Sequence, residues 1–330
     1  MGKRILQFFF FFLFLLLSNL LKAENSLTLF VATPPKKISW KSPSSLLWST
    51  IKSGFKSNFF SIGHAMIDLQ CDTTKDSNPV NEQTGVTSKE GSDDKDLIVE
   101  DGIGMGILFH TFEGELNTRE FVTKKLELAS ELQNRLSTFK ILVNEKTCQR
   151  LAIYLREYKE KRVDSRYGLS LRPRKAEGSG CTAFGASFFD VAGFLSPEIK
   201  KAWSVEINVQ ESLIGDPSGN KKISIDEILF SEKGQSWAKN GEPSRHLLVY
   251  DTQLFDQWIR KIWNNRSKGL PMGYSIDQKT YKKWHKRIWI EVQAPGTPEG
   301  WEEANVSNGV VSLQFDARSI PTPTDNIWIE

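Results

Sequence analysis

The chain has few of the residues that most often mark catalytic or metal chemistry: of its 330 residues, only three are cysteine and four are histidine. No C-x-x-C or H-x-x-x-H pair occurs, so the usual ligand spacings of zinc sites are absent. The glycine-rich run "GIGMG" at 102–106 lacks the helix that follows a dinucleotide-binding fingerprint. No internal repeat is found. The sequence therefore predicts no cofactor and no metal site. A metal site made from His64, His110 and Cys181 is the alternative that the ligand spacing does not support.

Long apolar runs are also scarce, and the single one lies at the start. Ile5 to Leu17 follow Lys3 and Arg4 and precede the small residue Ala23, which is the layout of a secretory signal peptide. An uncleaved anchor helix is the alternative, although the run is short for a membrane span. We therefore expect a signal peptide at 1–23 and a periplasmic, cell-envelope or secreted protein with no membrane span after cleavage.

Charge excess of one sign is missing from the predicted mature chain. The first 23 residues contain three of the 43 basic residues and none of the 40 acidic ones, so the remainder is balanced. A basic surface excess is what non-specific nucleic-acid binding requires. The composition therefore gives no support for a nucleic-acid partner.

The order of local patterns predicts an α+β fold. Residues 24–54 have the composition of an irregular N-terminal lead-in, and 72–100 form a polar insertion. Strands are predicted at 59–71 and, as its partner, at 102–116; helices are predicted at 118–137 and 145–161. Beyond residue 200, "KISIDEILF", "SRHLLVYD", "KRIWIEVQA" and "GVVSLQFDA" favour strands and "LFDQWIRKIW" favours a helix. We interpret 200–330 as a β-rich region that holds most of the tryptophans.

Cys181 lies in the stretch "GSGCTAF", between a glycine-rich turn and an apolar run with helical spacing. A thiol at a helix N-terminus is favoured as thiolate, and the same backbone N–H groups can stabilise an oxyanion. A buried packing cysteine or half of a disulfide fits the local sequence as well. A nucleophilic role requires a histidine base oriented by a third polar group.

Two of the four histidines are candidates for that base. His64 follows Gly63 within an apolar strand, where a core histidine satisfied by hydrogen bonds is the alternative. His110 is ambiguous in the same way. His246 and His285 lie among basic residues late in the chain and are interpreted as surface or strand-end residues.

Three motifs, taken in order, resemble a known family. They are "SIGHAMIDL" (61–69), "SRYGLSLRP" (165–173) and "GSGCTAFGASFFDVAGFL" (178–195). A histidine strand that precedes a cysteine helix resembles the circularly permuted, lecithin:retinol acyltransferase-like branch of the papain-like NlpC/P60 superfamily of cysteine hydrolases. The resemblance covers roughly 55–197. It implies a permuted papain-like core at 55–199, with an antiparallel sheet and packed helices.

The resemblance also implies roles for individual residues. Cys181 matches the nucleophile and His64 the base, while Tyr167 either lines the site or packs in the core. The insertion at 72–100 departs from the family pattern and leaves the third polar residue open. His110 is the first candidate for it, followed by Glu113, Glu115 and Asp68.

This resemblance implies an exported thiol hydrolase, an amidase or peptidase that acts on peptide or acyl substrates, with cell-wall peptides as one class. A disulfide between Cys71 and Cys148 would leave Cys181 free. The alternative is a non-catalytic envelope protein, binding or structural, that keeps the fold. Its tryptophans would form a binding surface, or would simply be core residues.

Overall fold

The computed structural model describes residues 24–54, 62–72, 79–89, 97, 100–132, 134–216, 218, 220–284, 288–291, 301–304 and 309–330. The predicted signal peptide at 1–23 and His285 lie outside the described residues. Within them, no helix has both the length and the apolar character needed to cross a membrane.

The described residues form a mixed α+β structure, which confirms the predicted class at that level. The helices are α1 (Pro43–Gly54), α2 (Arg119–Glu131), α3 (Glu145–Glu160), α4 (Cys181–Val191), α5 (Pro197–Trp203), α6 (Ile225–Phe230), α7 (Thr252–Asn264) and α8 (Gln278–Trp284). The strands are β1 (Ser26–Ala32), β2 (His64–Cys71), β3 (Val80–Thr84), β4 (Val86–Ser88), β5 (Phe112–Leu116), β6 (Leu136–Leu142), β7 (Arg166–Tyr167), β8 (Ser204–Gln210), β9 (Ser244–Tyr250), β10 (Tyr274–Ile276), β11 (Ile288–Glu291), β12 (Trp301–Ala304) and β13 (Val311–Asp316).

A six-stranded mixed sheet organises the core, in the order β10-β13-β6-β1-β2-β3. β13 runs parallel to β6, and every other neighbouring pair is antiparallel. All seven residues of β1 are buried at the centre of the sheet. The small sheets β4-β5-β7, β8-β9 and β11-β12 are antiparallel.

Helices cover both faces of the central sheet. On one face, apolar residues of the sheet pack against α3, α4 and α7 in the largest core cluster. On the other face, Phe30 and Met66 pack against Val122 and Leu126 of α2. Because side chains alternate along a strand, neighbouring residues of β2 contact different helices. We call these two sides the α4 face and the α2 face.

A second, smaller core lies beside the sheet. It combines apolar residues of α1, of the β8–β9 pair and of the segment 103–108 with Leu213, Ile214, Ile223 and Ile228. Ile103 and Gly104 form single backbone bridges to Ile223 and Ile214, which tie the segment before β5 to the segment before α6. This second core thus rests on residues that lie far apart in the chain.

Several sequence predictions need correction. The lead-in at 24–54 supplies the central strand β1 and helix α1. The polar insertion at 72–100 contains β3, which pairs with β2, whereas the predicted partner strand at 102–116 pairs as β5 with β4 and β7.

The later part of the chain also differs from the prediction. The helix predicted at 118–137 ends at Glu131 and is followed by β6. "KISIDEILF" forms α6, and β10 and β13 join the central sheet, so the sheet extends beyond 55–199 at both ends.

Other predictions are confirmed. Helix α3 begins after Asn144, whose side-chain oxygen accepts a hydrogen bond from the Thr147 backbone at 2.9 Å. The predicted helix in 252–264 and the strands at 244–250 and 311–316 are present as α7, β9 and β13. Cys71 and Cys148 form the disulfide, with their Cα atoms 5.7 Å apart, and it joins the end of β2 to α3.

Residues 317–330, the C-terminal strap, cross the surface of α3 and hold the loop that leads to α4. The anchor is Arg174, a buried side chain whose guanidinium bonds Asp190 and Asp325 at 2.7 Å each. It also donates to the Ile327 backbone at 3.0 Å. The buried guanidinium fixes both the strap and the loop, because its hydrogen bonds join Asp190 of α4 to Asp325 and Ile327 of the strap.

Replacing Arg174 with methionine is therefore expected to lower the free energy of unfolding by about 3 kcal/mol, because it removes several hydrogen bonds of a buried charged group. Arg172→Met is the matched control, since Arg172 forms an exposed ion pair with Glu177 that is worth about 1 kcal/mol or less. Urea denaturation of the two variants measures the difference. Equal losses of unfolding free energy in both variants would show that the Arg174 ion pairs do not hold the strap.

Candidate functional site

Cys181 is the first residue of α4, as predicted. The residue before the helix, Gly180, has an extended backbone and provides no side-chain cap. The first N–H groups of α4 therefore remain available to another acceptor near the thiol. Cys181 is the free cysteine, and its side chain is buried.

The thiol of Cys181 is surrounded by hydrogen-bond donors. Burial raises the pKa of the Cys181 thiol, and hydrogen bonds from the Ala65 backbone and the Tyr167 hydroxyl oppose that rise. The backbones of Cys181 and Thr182, in the first turn of α4, act in the same direction. Because burial is the largest effect, the thiol is protonated near neutral pH. Its neighbours are nevertheless groups that stabilise negative charge on the sulfur.

The loop before α4 is held beside β7. The Ser179 backbone donates to the Arg166 carbonyl at 3.1 Å, and Gly168 donates to the Ser179 carbonyl at 3.4 Å. Gly178 has a φ of +114°, and a Cβ there would lie 2.4 Å from the Arg166 carbonyl oxygen. Only glycine fits this position. This local pairing places Cys181 next to Tyr167.

His64 opens β2 and lies on the α2 face. Its cross-strand partner is Ala32, which belongs to the α2-face cluster together with Met66. Ala65, the next residue, belongs to the α4-face cluster. Cys181 and His64 therefore approach the first two residues of β2 from opposite faces. The structure brings Cys181 to the Ala65 backbone, whereas the His64 side chain is directed to the other side of the strand.

A glycine is required directly before His64. Gly63 has a φ of +84°, and a Cβ at this position would lie 2.2 Å from Oγ1 of Thr252 and 2.9 Å from the Ala32 carbonyl oxygen. The Gly-His pair of the motif thus reflects close packing of the strand end against α7.

Asn117, which the sequence analysis missed, is a polar partner of His64. Nε2 of His64 lies 3.3 Å from Oδ1 of Asn117. Asn117 is fixed by its own backbone, which donates to the Gly85 carbonyl and accepts from the Thr84 hydroxyl, both at 2.8 Å. An amide oxygen at this distance can accept a hydrogen bond from the imidazole and orient the ring. The only sequence signal was an amide directly after the strand "FEGEL".

Burial lowers the pKa of His64 to about 4, an effect that the Asn117 hydrogen bond opposes and the nearby charge of Lys125 reinforces. The imidazole is therefore neutral at pH 7. A neutral imidazole can accept a proton, so the protonation state of His64 suits a general base.

The same pKa predicts acid sensitivity of the fold. In the unfolded chain His64 binds a proton near pH 6.5, whereas in the fold it does so near pH 4, so acid favours the unfolded state between these values. Stability contributed by neutral His64 is complete above pH 6.5, and about 3 kcal/mol is lost as the pH falls to 4. Urea denaturation across this pH range measures the effect. The loss of unfolding free energy on acidification should be about 3 kcal/mol smaller in His64→Gln than in the wild type. Identical pH profiles would contradict a depressed His64 pKa.

His110 lies just before β5, close to Phe112. It is half-buried, and its ring centroid is 4.6 Å from that of Phe112. Phe112 pairs directly with Tyr167 across β5 and β7, and directly paired residues share one face. His110 is therefore on the Tyr167 side, while His64 is on the α2 face.

The remaining candidates for the third polar residue lie elsewhere. Glu113 and Glu115 are exposed, and Glu113 pairs with Lys89 at 3.6 Å. Asp68 shares the α2 face with His64 and accepts a hydrogen bond from Gln70 at 3.0 Å; burial raises its pKa. Of the polar residues compared for this role, Asn117 is the one whose hydrogen bond to His64 is described above.

The Tyr167 hydroxyl has a testable effect on the thiol. Because it donates to the sulfur and lowers the pKa of Cys181, Tyr167→Phe should raise that pKa further. The rate of iodoacetamide labelling of Cys181 as a function of pH measures it. The curve of the variant should shift to higher pH, and an unchanged curve would mean that the hydroxyl does not interact with the sulfur.

Within the described ranges, no group of three or more histidine, cysteine, aspartate or glutamate side chains is arranged to hold a metal ion. Comparisons of the chain with protein-family models, with curated proteins and with solved structures found no match.

Proposed function

We propose that the chain is an exported thiol hydrolase in which Cys181 attacks an amide or ester carbonyl. One observation carries the proposal: a free thiol at the N-terminus of α4 is surrounded by hydrogen-bond donors from Ala65, Tyr167 and the first turn of the helix. Donors in this arrangement stabilise the thiolate before attack and the oxyanion during it.

The reaction proceeds in two steps. The Cys181 thiol gives its proton to a base, and the sulfur forms a bond to the carbonyl carbon, which becomes a tetrahedral oxyanion. The bond to the leaving amine or alcohol then breaks, and the leaving group takes the proton. Water hydrolyses the resulting thioester, which restores the thiol and releases the carboxylic acid.

We assign the base to His64, since it is neutral at pH 7 and oriented by Asn117. Its ring lies across β2 from the sulfur, so the assignment requires a shift of Cys181 or of the strand end at Gly63. His110 is the competing base, because it shares a face with Tyr167.

The disulfide favours export, and the resemblance of the motifs favours a peptide or acyl substrate. The Cys71–Cys148 disulfide suits an oxidising compartment, in agreement with the predicted signal peptide. The resemblance to the permuted papain-like hydrolases suggests cell-wall peptides as the substrate class, and the balanced charge of the mature chain argues against nucleic acid.

A non-catalytic envelope protein is the second candidate. The raised pKa of the thiol and the position of His64 on the opposite face favour it, because neither activates the sulfur in the described conformation.

Hydrolysis of isolated peptidoglycan stem peptides and of p-nitrophenyl acetate separates the two candidates. The full chain should release new carboxylate and amine or phenolate groups, and Cys181→Ser should abolish this release. His246→Ala is the control, since the His246 side chain is exposed on β9. Absence of turnover in the wild type, or equal turnover in Cys181→Ser, would favour the non-catalytic protein.

A further inference from the structure

A loop outside the thiol site has the ligand spacing of a calcium loop. Residues 216–227 read "DPSGNKKISIDE", with side-chain oxygens at positions 1, 3, 5, 9 and 12. The twelve-residue calcium loop uses these positions, together with the backbone carbonyl of position 7, here Lys222. The contributing side chains are Asp216, Ser218, Asn220, Ser224 and Glu227.

The side chains at positions 1, 3 and 5 converge on one point. The Ser218 hydroxyl lies 2.6 Å from Oδ2 of Asp216, and Nδ2 of Asn220 lies 2.6 Å from the Ser218 hydroxyl. The Asp216 backbone donates to the Lys221 carbonyl at 2.8 Å, which closes the loop. Rotation of the Asn220 amide by half a turn brings its oxygen to the same point.

The end of the loop also follows the pattern. Helix α6 begins at Ile225, which is position 10. Ser224 and Glu227 form a reciprocal capping box, with both hydrogen bonds at 3.1 Å, so the carboxylate at position 12 folds back toward position 9. In calcium loops this glutamate provides both of its oxygens to the ion.

The loop is anchored to the second core rather than free in solvent. Ile223, at position 8, is 5% exposed and forms a bridge with Ile103; its backbone donates to the Gly102 carbonyl at 2.6 Å. Ile214, just before the loop, forms a bridge with Gly104. The chain just before the loop and position 8 within it are therefore held before any ion binds, which lowers the ordering cost of binding.

Two features of the loop predict modest affinity. Lys221 occupies position 6, where calcium loops have glycine, and the ligand set holds only two carboxylates. The adjacent ammonium groups are directed away, since Nζ of Lys221 donates to the Glu211 carbonyl and Nζ of Lys222 to the Glu100 carbonyl. Ligand charge and rigidity set calcium affinity, and a weak loop falls in the range of about 10⁻⁴–10⁻³ M that extracellular modules use.

We propose that Asp216, Ser218, Asn220, the Lys222 carbonyl and Glu227 bind one Ca²⁺, with Ser224 contributing through water. This site is independent of the thiol chemistry. Binding stabilises the second core, because the ion fixes the segment that Ile103 and Gly104 contact. It also fixes the start of the segment that continues into His110 and β5.

The test measures the melting temperature of the full chain, freed of metal with a chelator, against added calcium chloride. The wild type should melt about 3–5 °C higher in about 10 mM Ca²⁺, with a smaller shift in Mg²⁺ because the smaller ion demands a stricter octahedral geometry. Calorimetric titration should give a dissociation constant in the range stated above. Asp216→Asn and Glu227→Gln should weaken binding at least about tenfold.

Asp226→Asn is the matched control. It removes the same charge at position 11, next to Glu227, which is not a ligand position. Each variant is compared with itself without calcium, so any loss of the capping box in Glu227→Gln does not affect the result. No calcium-dependent shift in the wild type, an equal shift in Mg²⁺, or unchanged binding in Asp216→Asn and Glu227→Gln would overturn the proposal.

Discussion

Replacing His64 with alanine is expected to slow the acylation of Cys181 at pH 7 by about 10²–10⁴-fold, the usual contribution of a general base. Burial raises the pKa of the thiol, so the sulfur does not ionise by itself at neutral pH and must give its proton to a base during attack. His64 is neutral at that pH because burial lowers its pKa to about 4. The burst of p-nitrophenolate from p-nitrophenyl acetate measures the acylation rate.

Two further variants decide between the histidines. Asn117→Ala should slow acylation less than His64→Ala, because it removes the hydrogen bond that orients the ring but leaves the base. His110→Ala should leave the rate within about threefold of wild type. A large loss in His110→Ala with none in His64→Ala would transfer the role to the histidine on the Tyr167 side.

Removing the disulfide is expected to cost about 4 kcal/mol in unfolding free energy, the loop-closure effect for a bridge across 77 residues. The bridge joins the end of β2 to α3, and both cysteines are buried in the largest core cluster. The double variant Cys71→Ser, Cys148→Ser removes the constraint without leaving one cysteine of the bridge unpaired. Its urea denaturation should be compared with that of the oxidised wild type.

Cys181→Ser is the control for this experiment, because it also replaces a buried cysteine and keeps the bridge. It should lose far less stability than the double variant. If the double variant and Cys181→Ser lose the same unfolding free energy, the loss comes from burying hydroxyl groups in the core. The bridge then contributes little to stability.

The sequence allowed good predictions where the structure depends on local patterns. The stripe of apolar residues at 148–158 and the cap at Asn144 predict α3 because helix formation is governed by residues within a few turns. The glycines before Cys181 predict the start of α4 in the same way. These elements would form similarly in many folds.

The central sheet could not be predicted because its pairing is non-local. β1 pairs on one side with β2 and on the other with β6, and β6 takes β13 as a parallel partner from a segment some 170 residues later. No short pattern distinguishes such partners. The short strand β3 lies in a polar segment, where hydrophobic alternation gives no signal.

The sequence identified several residues of the site but not how they are arranged around the thiol. The alternation in β2 correctly placed His64 and Asp68 on one face, but which helix covers that face depends on register. A shift of one residue reverses every side chain of a strand. Only the structure shows that Ala65, and not His64, faces α4. Asn117 was missed because its contact with His64 joins residues 53 positions apart.

The most direct test of the nucleophile is peptide mapping of the full-length, oxidised protein after one exposure to an activated ester. The predicted result is one added acyl group on the peptide that contains Cys181, its absence in Cys181→Ser, and an intact Cys71–Cys148 bridge. An acyl group on a lysine or serine, with Cys181 unmodified, would contradict the proposal that Cys181 is the nucleophile.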